Sequence, residues 1–331
     1  MRKIVLLYVW LVQTGVYAQE NLRVMFYNTE NLFDCRHDSL KNDQDFLPEG
    51  KYHWSHTRYR NKLNNIAKVI TAVGEWQIPA LVGLCEVEND SVLIDLTHHS
   101  PLKNLSYRYV MTHSADARGI DLALLYQRDQ FRLLGYNAYH VPLRYPTRDI
   151  LHVTGQVINH DTLDIFVCHF PSRLGGEDQS NGHRIAAAKV LREKADSVIS
   201  VRMHPSVVIL GDFNDYPDNE SLFKILGAKS PTEVSSIYAN LMYPMLDDRE
   251  HGSHKFQSDW GVLDQIIVNR ALLQSSRISV KEGKAQIFRA PFLLEEDKTN
   301  GGERPLRTFL GFRYQGGFSD HLPVWMDLVV Q

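Results

Sequence analysis

Short apolar runs, each closed by a polar cluster, set the rhythm of this chain. Strand-like runs fall at 22–27, 80–87, 107–112, 120–126, 131–139, 151–158, 163–169, 206–210, 262–268 and 322–330. Two stretches carry the helical period instead. Leu63, Ile66, Ala67, Ile70 and Val73 form one stripe, with Gly74 as a stop. Ile185, Ala188, Leu191, Ala195 and Val198 form the second, with Ser180 and Asn181-Gly182 suited to its entry. Both stripes read as core faces. Many strands with few helices predict packed sheets flanked by helices, not a regular alternating parallel wind. No repeat, low-complexity tract or long linker divides the chain after residue 20, so 19–331 reads as one large domain. Residues 281–318 are polar and Gly-rich without clear period. They are either a functional loop or hold strands too short to see.

The N-terminus breaks this pattern. Arg2-Lys3 precede an apolar run from Ile4 to Val12, followed by Gly15-Val16-Tyr17-Ala18. A basic start, a short apolar segment and a closing small residue predict a secretory signal peptide, 1–18, cleaved after Ala18. The expected location is secreted or periplasmic. The run is short for a membrane span, so no stable membrane anchor is expected.

The chain has 331 residues, 44% of them hydrophobic and 23% charged, which leaves room for a large core. Its formal net charge is -3. Losing Arg2 and Lys3 leaves 34 Lys and Arg against 39 Asp and Glu, about -5. The global field therefore does not favour a polyanion, and a phosphate must be held by local cations or metal. Three cysteines, Cys35, Cys85 and Cys168, exclude a disulfide scaffold. Cys85 and Cys168 lie in apolar runs and read as buried thiols.

Five apolar runs end in polar chemistry. Met25-Phe26-Tyr27 leads to Asn28-Thr29-Glu30-Asn31, and Leu84-Cys85 leads to Glu86-Val87-Glu88-Asn89. Val167-Cys168 leads to His169-Phe170-Pro171-Ser172-Arg173, and Ile209-Leu210 to Gly211-Asp212-Phe213-Asn214-Asp215. The fifth cluster, Ser319-Asp320-His321, precedes the final run. Titratable groups at strand mouths are costly to bury without a partner, a metal or a substrate. The set is rich in oxygen donors, which suit Mg²⁺, Mn²⁺ or Ca²⁺ better than zinc. The chemistry it suggests is metal-assisted attack of water on phosphorus.

In this order, Asn28, Glu86, His169, Gly211-Asp212-Phe213-Asn214, Asp264 and Ser319-Asp320-His321 resemble the endonuclease/exonuclease/phosphatase superfamily. That group includes deoxyribonuclease I, neutral sphingomyelinases and inositol polyphosphate phosphatases. The resemblance spans nearly all of 19–331. The wording Asn28-Thr29-Glu30-Asn31-Leu32-Phe33-Asp34 is most similar to exported bacterial members with nuclease-type labels. It implies an α/β four-layer sandwich, two packed mixed β-sheets flanked by helices. It implies Glu86 as principal metal carboxylate, with Asn28 beside it and Asp320 as a further ligand. Asp212 would orient or deprotonate the attacking water, and Asn214 would hold a phosphate oxygen or that water. His321 would stabilise developing charge, with Asp264 fixing its tautomer. His169 would be a second phosphate-facing imidazole with Asp121 as its partner. Gln265 departs from the Tyr or His common after that aspartate in relatives.

Singly these residues have blander readings: Asp212 as a turn residue, Asn28 as a capping amide, His169 as a core histidine. Arg58, Arg60, Arg118, Arg173, Arg184, Arg307 and Arg313 are candidate phosphate contacts, with Arg118 and Arg173 preferred beside the motifs. Tyr52-His53-Trp54 read as core or as a stacking surface. The expected function is an exported Mg²⁺-dependent phosphoesterase, first of all an endonuclease acting on nucleic acid. A phospholipid or small phosphoester is the alternative substrate, and an inactive binding protein of the same fold the third reading. No obligate protein partner is evident.

Overall fold

The computed structural model describes residues 20–331 apart from Leu174 and Arg249; the expected signal peptide lies outside the described residues. The chain opens with β1 (Glu20–Leu32), α1 (His56–Gly74), β2 (Leu81–Val87), α2 (Asp90–His98), β3 (Arg108–Met111) and β4 (Asp121–Tyr126). It continues with β5 (Phe131–Tyr139), β6 (Ile150–Val157), β7 (Thr162–His169), α3 (Glu177–Val201) and β8 (Val207–Asp212). Shorter strands follow: β9 (Ala228–Lys229), β10 (Tyr238–Asn240), β11 (His254–Phe256), β12 (Asp259–Gly261), β13 (Asp264–Asn269) and β14 (Ile278–Val280). The chain closes with β15 (Gln286–Ile287), β16 (Leu294–Glu296), β17 (Glu303–Pro305), β18 (Phe309–Leu310), β19 (Arg313–Tyr314) and β20 (Val324–Val330).

Two large mixed sheets result. One runs β14-β20-β1-β2-β4-β3 with β15 also on β20, and the other β5-β6-β7-β8-β13-β10-β9. Strand side chains alternate between faces, and β1 shows the consequence. Val24 and Phe26 enter the core between the sheets, with Leu124, Ile165, Leu210, Ile266 and Met326. Met25 and Tyr27 face outward against Ile66, Ile70 and Val73 of α1. On the far side Phe166 and Ile209 pack on Ala188, Leu191 and Ala195 of α3. Helices, sheet, sheet and helix make the four-layer sandwich that the sequence implied.

The sheets approach closely at Gly83, where an added Cβ would lie 2.2 Å from Cδ1 of Leu210. Gly211 is needed for another reason. A Cβ there would lie 2.3 Å from the carbonyl oxygen of Cys168 on β7. All three cysteines are free, with Cys85 and Cys168 buried as expected.

Two differences from the sequence reading have local causes. The second helix begins at Glu177, so Ser180, Asn181 and Gly182 sit inside it rather than at its entry. Ser180 Oγ donates to the Gly176 carbonyl at 2.7 Å, a bond to the preceding turn that a helix interior permits. Helix α2 carries too short an apolar stripe to register in the sequence. It is started by Asn89, whose side chain accepts from the Val92 amide at 3.0 Å. The segment 281–318 holds the small hairpins β16–β17 and β18–β19.

Candidate active site

Strand register builds the site. In the parallel pair β7–β8, His169 lies opposite Asp212. In the antiparallel pair β8–β13, Asp264 lies opposite Asp212 from the other side. Gly211 permits this by letting β8 run against the Cys168 carbonyl. The first sheet contributes Asn28, whose Nδ2 donates to Asp212 Oδ2 at 3.0 Å. The centre therefore sits at one end of the sandwich, where the two sheets meet.

Glu86 reaches it through an irregularity. Between the pairs Asn28–Cys85 and Leu32–Val87, three residues of β1 oppose Glu86 alone. Glu30, Asn31 and Glu86 all take positive φ there, at 50°, 58° and 60°. Such bulges re-aim side chains at the cost of local strain. Here the Asn31 amide donates to Glu86 Oε2 at 2.8 Å. Glu86 Oε1 lies 4.0 Å from His169 Nε2.

Asp212 is flanked by two imidazoles. His169 Nε2 is 3.7 Å from its Oδ2, and His321 Nε2 is 3.8 Å from the same oxygen. His321 Nδ1 lies 2.7 Å from Asp264 Oδ2. The turn before β20 is pinned by Ser319, which accepts from the His321 amide and donates to the Asn28 carbonyl at 2.7 Å.

Burial and charge divide the two histidines. Burial disfavours the imidazolium of His321, but Asp264, Asp212 and Asp320 outweigh it and raise its pKa well above the usual value. Burial lowers His169 well below that value, helped by the positive charges of Arg148, Arg118 and His321. His321 is thus held as a cation and His169 as a neutral ring. Burial pushes Asp212 up to about 7, against the opposing charge of His321 and with the help of Asp264. A carboxylate poised there is suited to accept a proton near neutral pH.

The remaining expected residues are placed as follows. Asp320 pairs with Arg307 Nη2 at 2.7 Å. Burial would raise its pKa, but His321 and Arg307 bring it down to about 2. Asn214 is anchored by Nδ2 to the Phe170 carbonyl at 3.0 Å. Arg118 is half exposed, with Nη2 2.6 Å from Asn31 Oδ1 and 3.8 Å from Glu86 Oε2. Its guanidinium therefore lies at the surface beside Glu86.

Two residues depart from expectation. Asp121 does not join His169: its Oδ1 accepts from Thr112 and from the Ser114 amide, and His169 Nδ1 is buried without a partner. Asp121 has only hydroxyl and amide donors at hand, which satisfy it away from the imidazole. Arg173 is committed to the protein. It donates to the Asn214 carbonyl at 2.7 Å and to Asn219 at 2.9 Å, so it braces the loop after β8. Among the other candidate cations, Arg184 is buried against Asp215. Trp54 is core, donating to the Phe33 carbonyl. Gln265 bridges the Asp215 and Val262 carbonyls, a structural tie beside Asp264.

Arg307, expected as a phosphate contact, is tied to carboxylates instead, and the sequence reading passed over its partner Glu30 and nearby Lys62. Arg307 Nε also donates to Glu30 Oε1 at 3.0 Å, and Lys62 lies 3.9 Å from Glu30 Oε2. Lys62 is buried and donates to the Phe318 carbonyl at 2.6 Å. Glu30 stood inside a motif already quoted, and its charge was the available signal. The His254 ring lies tilted against that of His321, with centroids 4.6 Å apart, and nothing in its local sequence marked it.

The donor set fits a hard divalent cation. Glu86 Oε1 takes no hydrogen bond among the described residues, and Asp264 Oδ1 is buried without a partner. Two groups bring donor atoms within 4.8 Å of one another: Asp212, Asp264 and His321, and His254, Asp320 and His321. His321 Nδ1 is already engaged by Asp264, which leaves Nε2 as its free ring nitrogen. Oxygen donors from Glu86 and Asn28 are the better match to Mg²⁺ chemistry.

A four-layer sandwich with this end-on cluster of carboxylates and imidazoles defines a class. The chain belongs to the endonuclease/exonuclease/phosphatase family, whose sequence profile matches residues 23–329. Solved structures share the fold. A protein of that family from Bacteroides thetaiotaomicron is 16% identical, with a TM-score of 0.58 over 95% of this chain and 99% of its own. A mannosyl-6-phosphatase from Bacteroides thetaiotaomicron VPI-5482 is also 16% identical, with a TM-score of 0.57 over 93% and 99%. D. rerio TDP2, solved with a single-strand DNA product, is 13% identical, with a TM-score of 0.56 over 93% and 98%. No curated protein matches the chain.

Proposed function

We propose that this chain is a divalent-cation-dependent phosphoester hydrolase acting on phosphodiesters of nucleic acid. The observation that carries the reading is the line Asp264–His321–Asp212, with 2.7 Å from Asp264 to His321 and 3.8 Å from His321 to Asp212. Asp212 would take a proton from the attacking water. His321, a cation held by Asp264, would face the equatorial oxygens as they gain charge. Neutral His169 would donate a hydrogen bond to the same phosphoryl group, and Asn214 would orient the water or an oxygen. Arg118 would bind the phosphate before reaction. A cation held by Glu86 and Asn28 would add Lewis-acid polarisation. Asp320 would serve chiefly as the partner of Arg307.

TDP2, with its DNA product, lends support to nucleic acid as substrate. The acidic balance of -3 favours a second reading, a small phosphoester. The leader at 1–18 would send 19–331 out of the cytoplasm as one catalytic domain.

The test is hydrolysis of plasmid DNA, single-stranded RNA, sphingomyelin and bis-p-nitrophenyl phosphate by residues 19–331, with Mg²⁺, Mn²⁺, Ca²⁺ or EDTA. Metal-dependent cleavage of nucleic acid, lost in folded His321→Ala, is the expected result. Cleavage of the small diester alone would replace the substrate. Full activity in His321→Ala would overturn the roles.

A further inference from the structure

Beside the catalytic centre lies a cavity of about 340 Å³ that the hydrolytic machinery does not use. Its floor carries Thr147 and Arg148, and its mouth Tyr145, Ser172, Gln179 and His183. One backbone carbonyl links a cavity-lining side chain to the centre. The Phe170 carbonyl accepts both from Asn214 Nδ2 at 3.0 Å and from Arg148 Nη2 at 2.7 Å. Pro171 and Ser172, which line the cavity, follow directly on His169 and Phe170.

The floor holds unmet hydrogen bonding. Thr147 is 5% exposed and Arg148 8%, yet Thr147 Oγ1 and Arg148 Nε have no partner. Buried polar atoms left so are unusual, and at a cavity wall they mark where a ligand or ordered water completes the set. One is an N–H donor and the other a hydroxyl that can donate or accept. A ligand hydroxyl, which both donates and accepts, matches each in kind. An anion fits less well, because Asp116 lies in the same floor and already takes Arg148 Nη1 at 3.3 Å. The mouth adds a flat apolar surface, since Tyr145 is 68% exposed beside Pro146. Polar groups below and an exposed ring above suit a hydroxylated ring, and the volume is in the range of small-ligand pockets.

We propose that this cavity is a subsite for the sugar ring of the substrate, joined to the phosphate cleaved next door. The inference deepens the proposed hydrolysis and rests on it for the placement of the phosphate. The sugar could belong to a nucleotide or to a free hexose, which share this chemistry.

Calorimetric titration of residues 19–331 with ribose 5-phosphate, glucose 6-phosphate and inorganic phosphate tests it. Sugar phosphates should bind about tenfold more tightly than phosphate alone, as one or two hydrogen bonds and a stacked ring would give. Thr147→Val and Tyr145→Ala should each erase most of that advantage. Tyr145 is exposed, so its variant reports on the subsite even where Thr147→Val folds poorly. His321→Gln should keep the advantage. The better of the two sugars identifies the source. Equal affinity for sugar phosphate and phosphate, or no binding of either, overturns the subsite. A sugar preference without hydrolysis of any substrate would instead overturn the hydrolase reading and leave the subsite standing.

Discussion

Asp264 holds His321 by a 2.7 Å contact across 57 residues of sequence, and this contact fixes which imidazole nitrogen faces Asp212. Asp264→Asn keeps the shape but removes the charge that favours the imidazolium. Turnover should fall roughly 10²–10⁴-fold, the usual worth of a positioned acid or base, with KM little changed. The pKa of His321 should drop with loss of its largest stabilising charge, so the alkaline limb of the rate profile moves to lower pH. A pH–rate profile checks both, and a variant with normal turnover and an unmoved limb would remove Asp264 from the site.

Asp212 is ionised at a cost to stability. Its folded pKa of about 7 lies above the ordinary carboxylate value because it is buried. Between about pH 4 and 7 the folded state therefore binds more protons than the unfolded state, and this group lowers stability as pH rises through that window. Asp212→Asn removes the effect. In chelator at pH 8 it should be more stable than the parent by about 1–3 kcal/mol, and inactive. The difference should shrink towards pH 5, where Asp212 is protonated. Chemical denaturation at the two pH values measures it; a variant equally destabilised at both would mean that Asp212 is held by its hydrogen bonds, not strained by burial.

Much of this architecture was legible because register carries it. Apolar runs predicted the strands, and their polar ends predicted Asp212 and His321 at one shared edge; Asp264 came only with the resemblance. The resemblance added order to residues that are weak singly. What escaped was tertiary. Nothing in sequence separates a half-exposed arginine, such as Arg118, from one consumed by loop groups, such as Arg173. The choice depends on which oxygens lie within reach. Asp121 was misjudged for the same reason, since Thr112 and Ser114 are nearer than His169. Glu30 and Lys62 were invisible as a pair because they lie 32 positions apart, one on β1 and the other on α1.

Arg307 ties Glu30 to Asp320, and its loss should be felt at both. Arg307→Ala would leave Asp320 without its guanidinium and Glu30 dependent on Lys62. Breaking such a part-buried pair should cost about 1–3 kcal/mol. Asp320 titrates at about 2 in the parent, so its contribution is present above the ordinary carboxylate pKa and is lost as pH falls towards 2. In Arg307→Ala that acid-side contribution should shrink. Denaturation at pH 7 and pH 2.5 tests this: a cost the same at both values would assign the loss to packing rather than to the ion pair.

Two glycines near the centre make opposite demands. At Gly83 an added methyl meets the end of the Leu210 side chain at 2.2 Å, and at Gly211 it meets the Cys168 carbonyl oxygen at 2.3 Å. A side chain can rotate or yield within a core at a cost of about 1–3 kcal/mol. A backbone carbonyl in a β-ladder cannot move without shifting its neighbours. Cys168 precedes His169, and Gly211 precedes Asp212, so any shift that relieves Gly211→Ala displaces the two residues whose register forms the site. Gly83→Ala should therefore lower stability and keep most activity at temperatures where it is folded. Gly211→Ala should lose activity by more than its unfolded fraction accounts for. The comparison needs denaturation curves and turnover measured at one temperature for both. Activity that tracks the folded fraction equally in the two variants would show that the glycine before Asp212 serves packing alone, and that the spacing of β7 and β8 does not set the catalytic geometry.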